Sequence, residues 1–334
     1  MAGEAAAPHR QPRRRRTRRD PRLASLTRST GCARMKLTNI TPYLVANVPS
    51  TSTGIAEAMA AAAFAPTGPT QERSVGWVPP RAEHGALVES VGGHWFMRLM
   101  IETRSVPADA IRREVDAEAA RIEKETGRKP GKKERRDLKE DARMALLPHA
   151  FPKQCAVGIW LDPERGTLAV DTTSQARADI AITELIRCAE GLVVAMPNTE
   201  SSPTGAMAGW LASQEAPDNF TVDRECELRA ADESKAVIRY TRHALDTEEI
   251  SAHVRQGKFP TRVAMTWNDR VSFVLTDSLR LKKLAIMDVV VEGSRAQGDG
   301  AGDAFDADAA ITSGELAPML ADLFAALGGL QAVA

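Results

Sequence analysis

The stretch from Pro107 to Pro148 limits what the chain can fold into more than any other segment, because its charge density forbids burial. Ile111, Val115, Ala119 and Ile122 recur at helical spacing from a start near Asp109, forming one narrow apolar stripe. Thr126-Gly127 and Pro130-Gly131 then interrupt the helix, and a second helix is predicted from about Lys132 to Leu147. Two helices with so little apolar surface form a charged hairpin that projects from a body more readily than it fills a core. The flanks must therefore supply the core.

They have the patterns to do so. Strands are predicted at Leu37 to Val48, Trp95 to Ile101, Gln154 to Leu161, Thr167 to Thr172 and Leu192 to Met196. Helices are predicted at Ile55 to Phe64 and Ala176 to Ala189. Gly76-Trp77-Val78-Pro79-Pro80 reads as a rigid extended turn, since each proline fixes its own φ and restricts its neighbour. Beyond Pro197 come strands at Phe220 to Arg229, Ala236 to Arg242 and Leu279 to Met287. Arg262 to Trp267 and Val271 to Leu275 pair around Asn268-Asp269. Helices follow at Thr247 to Gln256 and Glu315 to Leu327, with a polar, Gly-rich loop from Glu292 to Gly302. The expected fold class is α/β (α+β), with two mixed sheet–helix units. Residues 35–106 plus 149–196 form the first unit, 107–148 the inserted hairpin and 197–334 the second unit.

The 334 residues are 43% apolar, enough for a sizeable core, and no run approaches the roughly 18 apolar residues of a membrane span. Cys32, Cys155, Cys188 and Cys226 lie far apart, so reduced thiols are expected rather than a disulfide framework or zinc site. No apolar segment of a secretory signal follows the basic N-terminus, and a cytoplasmic location is expected. The net charge of zero conceals an asymmetry. Residues 1–34 carry ten arginines against Glu4 and Asp20, a charge of +8, which leaves −8 for the rest. That tail has no hydrophobic periodicity and should lack fixed structure. Either it binds nucleic acid, or translation starts at Met35 and the tail is not made.

The second helix of the hairpin holds the most informative spacing. Lys132, Arg136, Lys139 and Arg143 stand at i, i+4, i+7 and i+11 and share one face. Glu134, Asp137 and Asp141 fall on another, while Arg128, Lys129 and Lys133 extend the basic end. A row of cations one turn apart suits successive phosphates of a duplex. The competing reading is a solvated helix laced with pairs such as Lys133–Asp137 and Arg136–Glu140. Aromatic content is only 4%, and no aromatic residue lies between Arg128 and Arg143, which disfavours stacking on single strands. A protein-binding adaptor that uses the same hairpin is a further alternative.

Enzyme signatures are mostly missing: no phosphate-binding loop, dinucleotide fingerprint, H-E-x-x-H or G-x-S-x-G occurs, and the six histidines are scattered. No catalytic residue, metal or cofactor is implied. One segment, Asp299-Gly300-Ala301-Gly302-Asp303-Ala304-Phe305, resembles the anion-hole signature of ribokinase-like sugar kinases, with Asp303 as base. No partner motif supports it, and a flexible Gly-Asp linker is the plainer account. The acids Asp299, Asp303, Asp306 and Asp308 lack the order of a calcium loop.

Several motifs, in order along residues 35–334, resemble the bacterial RdgC family. They are Met35-Lys36-Leu37, Gly76-Trp77-Val78-Pro79-Pro80, Leu146-Leu147-Pro148-His149-Ala150-Phe151 and Trp160-Leu161-Asp162. Thr247-Glu248-Glu249-Ile250 and Phe305-Asp306-Ala307-Asp308 with Ser313-Gly314-Glu315-Leu316 complete the set. The resemblance implies a ring-shaped homodimer whose positively lined hole encloses double-stranded DNA. It implies limits on RecA-driven strand exchange without catalysis, and residence on the nucleoid. It places Arg128, Arg242 and His243 toward the hole and makes Phe151 a hydrophobic contact between subunits; a plain core phenylalanine is the alternative. His243 departs from a strongly basic or amide character, and the basic tail departs from the family.

Overall fold

The computed structural model describes residues 36–81, 85–288, 290 and 304–331. The basic tail, the Gly-rich loop at 292–302 and Asp303 lie outside the described residues, as does Cys32.

The first half of the chain supplies β1 (Ile40–Ala46), α1 (Thr53–Ala61), β2 (Arg73–Val78), β3 (Val88–Val91) and β4 (His94–Arg104). Next come α2 (Ala108–Thr126), α3 (Lys132–Leu146), a 3₁₀ turn at Leu147–His149, β5 (Pro152–Asp162), β6 (Thr167–Asp171), α4 (Gln175–Cys188) and β7 (Val193–Ala195). The second half adds α5 (Pro203–Ser213), β8 (Phe220–Ala230), β9 (Val237–Thr241), α6 (Glu248–Arg255), β10 (Lys258–Trp267), β11 (Val271–Thr276), β12 (Leu281–Ile286) and α7 (Ala304–Ala326). The fold is mixed α and β.

The twelve strands of the described residues join one sheet, in the order β2-β4-β5-β6-β1-β12-β11-β10-β8-β9, with β3 beside β4 and β7 beside β1. Among the described residues, strands of the two halves meet only where β1 pairs with β12, through Ile40 opposite Leu281. Period-two alternation decides which face each strand covers. In β4, Trp95, Met97, Leu99 and Ile101 join α1 and α4 in one core, while Phe96 points the other way. There it meets Phe305 of α7 edge to face, with ring centroids 6.2 Å apart. The second core gathers α5, α6 and α7 on β8 to β12.

Three readings of the sequence need correction. Gly76-Trp77-Val78 is not a turn. It lies in β2, paired with Met100, Leu99 and Arg98 of β4, and only Pro79-Pro80 leaves the strand. The glycine is required there because a Cβ would stand 2.4 Å from the Phe64 Cα. The last helix begins at Ala304 rather than Glu315 and continues through Pro318. An interior proline removes one helical hydrogen bond, but burial of Phe305, Ala309, Leu316, Leu320 and Leu323 holds the helix together. Finally, β3 and α5 were not anticipated. The expected strands at β1 and β4 to β12 are present, as is the hairpin turn at Asn268 and Asp269, both at positive φ.

Cys155, Cys188 and Cys226 are free, and burial pushes the Cys226 thiol up to about 12. Among the described residues no helix is long and apolar enough to cross a membrane.

Candidate nucleic-acid interface

The connection from β4 to β5 leaves and returns at facing positions, with Arg104 opposite Pro152. Within it α2 and α3 pack through a small cluster of Ile111, Val115 and Ala142, joined by Val106, Leu138 and Leu146. The apolar stripe fades along α2, since Ala119 and Ile122 are only half-buried. Gly127 ends α2 at φ 72°, a left-handed conformation that glycine adopts without strain, and its N–H returns to the Glu123 carbonyl at 2.9 Å. Asp116 and Arg135 join the two helices at 2.7 Å.

At the loop between the helices, Glu134 organises the chain. Its carboxylate accepts both terminal nitrogens of Arg128 and the backbone N–H of Gly131. The bonds from Arg128 and Gly131 hold the Glu134 carboxyl well below the usual range, at about 2. The same pairing raises the Arg128 guanidinium. Arg128 is thus exposed but engaged with its own acid.

The cations of α3 differ in how far they are committed. Lys132, Arg136, Lys139 and Arg143 are all exposed. Arg143 holds Glu72 at 2.6 Å, tying the end of α3 to the residue before β2. Among the described residues Arg136 has only Asp137, at 3.9 Å. Among the described residues Lys132, Lys133 and Lys139 have no acidic partner, and neither Lys133–Asp137 nor Arg136–Glu140 forms. Lys129 lies 4.0 Å from Glu123.

The foot of this connection is fastened by Arg104. Its guanidinium donates to Thr67 Oγ1 at 2.8 Å and to the carbonyls of Ala150 and Pro148 at 3.2 and 3.4 Å. Phe151 follows and is 93% exposed, so it is not a core residue. Arg242 and His243 come just after β9, at the far end of the strand order from β4. Both are exposed, Arg242 at φ 57°. His243 Nδ1 lies 2.7 Å from the Ala244 carbonyl, so Nδ1 carries the proton donated there. The structure therefore places the expected residues on two separated parts of the chain.

Sequence reasoning missed Arg229, Arg239 and Arg262, which three strands bring over Glu227. Only strand register reveals that grouping. Among the described residues no set of three or more His, Cys, Asp or Glu side chains is placed to hold a metal ion.

Comparison with known proteins decides the kinship. A family model described as "Putative exonuclease, RdgC" matches residues 35–330. The chain belongs to the RdgC family. A Recombination-associated protein RdgC of Dechloromonas aromatica is 43% identical over 262 residues, covering 78% of this chain and 86% of the relative. The Recombination-associated protein RdgC of Cupriavidus pinatubonensis is 43% identical over 267 residues, covering 80% and 89%. That of Bordetella pertussis is 40% identical over 261 residues, covering 78% and 87%. For this RdgC-family chain the sugar-kinase likeness at 299–305 carries no further. Asp303 lies outside the described residues, and Asp306, three residues on, is bound by Arg81.

Proposed function

We propose that this chain binds double-stranded DNA through its phosphates, without reading sequence, as a homodimer that encloses the duplex. The observation that carries this reading is the exposed row of Lys132, Arg136 and Lys139 on α3, where two lysines have no acidic partner among the described residues. From Lys132 to Lys139 the row extends about 10 Å at 1.5 Å per residue. A duplex carries about six phosphate charges over that length. Contacts of this kind give affinity and register but little sequence information. Arg242 and His243 would add contacts from the second half, and Phe151 would meet its counterpart in the partner subunit.

In the cell such a protein would sit on the nucleoid and limit RecA-driven strand exchange by occupying the DNA. The names of its relatives, recombination-associated proteins, are consistent with that role. The word exonuclease in the family description sets a control. A nuclease would shorten an end-labelled duplex in the presence of Mg²⁺, whereas a binding protein leaves it at full length.

Enclosure has its own test. Full-length protein is loaded at low salt on a closed circular duplex and on a linear fragment, then washed at high salt. Retention on the circle and loss from the linear fragment is the expected outcome. Equal loss from both would exclude a ring around the DNA.

A further inference from the structure

The face of β8, β9 and β10 away from the α5–α7 core carries cations that the proposal above leaves unused. Register sets Arg239 of β9 and Arg262 of β10 on either side of Glu227 of β8, and Arg229 follows two residues along the same strand. Glu227 is buried, at 4% exposure. Its Oε2 accepts a hydrogen bond from Arg239 Nε at 2.7 Å and stands 3.7 Å from Arg262 Nη1. Its Oε1 accepts from Thr261 Oγ1 at 2.8 Å and stands 3.9 Å from Arg229 Nη2.

Three guanidiniums thus surround one carboxylate, a local charge of +2. Burial alone would push the Glu227 carboxyl up, but Thr261, Arg239 and Arg262 together bring it below its usual range, so it stays ionised. The neighbouring acid Glu225 does not offset the excess, because Lys283 Nζ holds it at 2.7 Å. Among the described residues the guanidiniums of Arg229 and Arg262 make no hydrogen bond, and Arg239 uses only Nε. Arg239 and Arg262 border a concavity of about 250 Å³ that Glu225 and Glu227 also line and that runs to Tyr240 and Thr241, and Arg229 stands outside its lining.

One carboxylate needs one guanidinium to satisfy it. Two more, exposed and mutually repelling, are stabilised when a second anion enters. Guanidinium forks match the geometry of phosphate oxygens. From this arrangement we infer that Arg229, Arg239 and Arg262 form a phosphate site, occupied by the backbone of the duplex. The inference rests on the DNA-binding reading and adds a contact area remote in sequence from the hairpin.

The test is Arg229→Gln with Arg262→Gln in the full chain. It leaves the Arg239–Glu227 bond intact and takes the patch from +2 to zero. Circular dichroism checks folding, and Arg229→Gln alone provides a milder version. The slope of log affinity against log salt for a duplex should shrink by about 1.8 in the double variant and about 0.9 in the single one. Affinity at low salt should fall roughly tenfold or more in the double variant. In parallel, melting of the wild-type protein is compared in inorganic phosphate and in chloride at matched ionic strength. A phosphate-specific rise, lost in the double variant, is expected.

Unchanged slope and affinity in the double variant would overturn the assignment to duplex DNA. If the phosphate effect were nonetheless lost, the site would take a free anion instead. Absence of any phosphate-specific effect, together with an unchanged slope, would overturn the site altogether. Failure of the wild-type protein to bind duplex would sink the DNA-binding reading, and the melting comparison would still decide whether the anion site exists.

Discussion

Arg128 and Glu134 meet fork to fork, with Nη1 and Nη2 each 2.8 Å from a different carboxylate oxygen. The Glu134 Oε2 that takes Nη1 also accepts the Gly131 N–H at 2.8 Å, so one side chain closes the loop between α2 and α3. This acid competes with any phosphate for Arg128. Glu134→Gln keeps an acceptor for Gly131 but removes the charge. The variant is expected to bind duplex several-fold more tightly at low salt, with a salt slope steeper by about 0.9. Weaker or unchanged binding would place Arg128 outside the contact.

The same pair sets a pH dependence. Hydrogen bonds from Arg128 and Gly131 hold the Glu134 carboxyl at about 2, below its unfolded value of about 4.3. A depressed carboxylate stabilises the folded loop fully above its unfolded value, and that contribution is lost as pH falls from there toward 2. A side-chain NMR titration should show a midpoint near 2 in the wild-type protein. In Arg128→Gln the midpoint should move back up. An ordinary midpoint in the wild-type protein would mean that the fork is not formed in solution.

Phe151 sits on the surface at the foot of the α2–α3 connection, 93% exposed. Replacing an exposed side chain changes stability by about 0.5 kcal/mol or less. Phe151→Ser is therefore expected to unfold at an unchanged denaturant midpoint while its self-association weakens, measured by sedimentation across a concentration series. Unaltered association would remove Phe151 from the subunit contact.

Phe305 is fully buried against Phe96 at the start of α7, so its loss should be felt through the fold. Phe305→Ala is expected to cost about 3–5 kcal/mol in urea unfolding. A cost below about 1 kcal/mol would mean that the first turns of α7 contribute little to the core.

What could be read in the sequence was local. The breaks at Gly127 and Gly131, the turn at Asn268-Asp269 and the alternation through β4 and β5 each need only a few neighbouring residues. The cation row of α3 is legible for the same reason, because helical spacing fixes which residues share a face. Elements set by distant contacts were not legible. Gly314 looks like a break before the expected start at Glu315, yet burial from Phe305 to Leu323 keeps α7 continuous. The glycine at 76 serves close approach of Phe64 to a strand, which local sequence does not encode. Helix α5 did leave a signal. Ser202 before Pro203 is a helix start, and its hydroxyl accepts the Gly205 N–H at 3.1 Å, but the glycines at 205 and 209 obscured it. The grouping of Arg229, Arg239 and Arg262 depends on register across three strands, and Phe151 becomes informative only once its exposure is known.

The measurement that bears most directly on the central claim is binding of the full chain to labelled DNA across a salt series. Two linear duplexes of unrelated sequence and one single strand are compared by fluorescence anisotropy. Charge reversal of Lys132, Arg136 and Lys139 serves as the control and spares Arg143, which holds Glu72. Tight binding to both duplexes with the same steep salt dependence is expected, with weaker binding to the single strand and loss in the reversed variant. No duplex binding at low salt, or binding that the charge reversal leaves intact, would contradict the account.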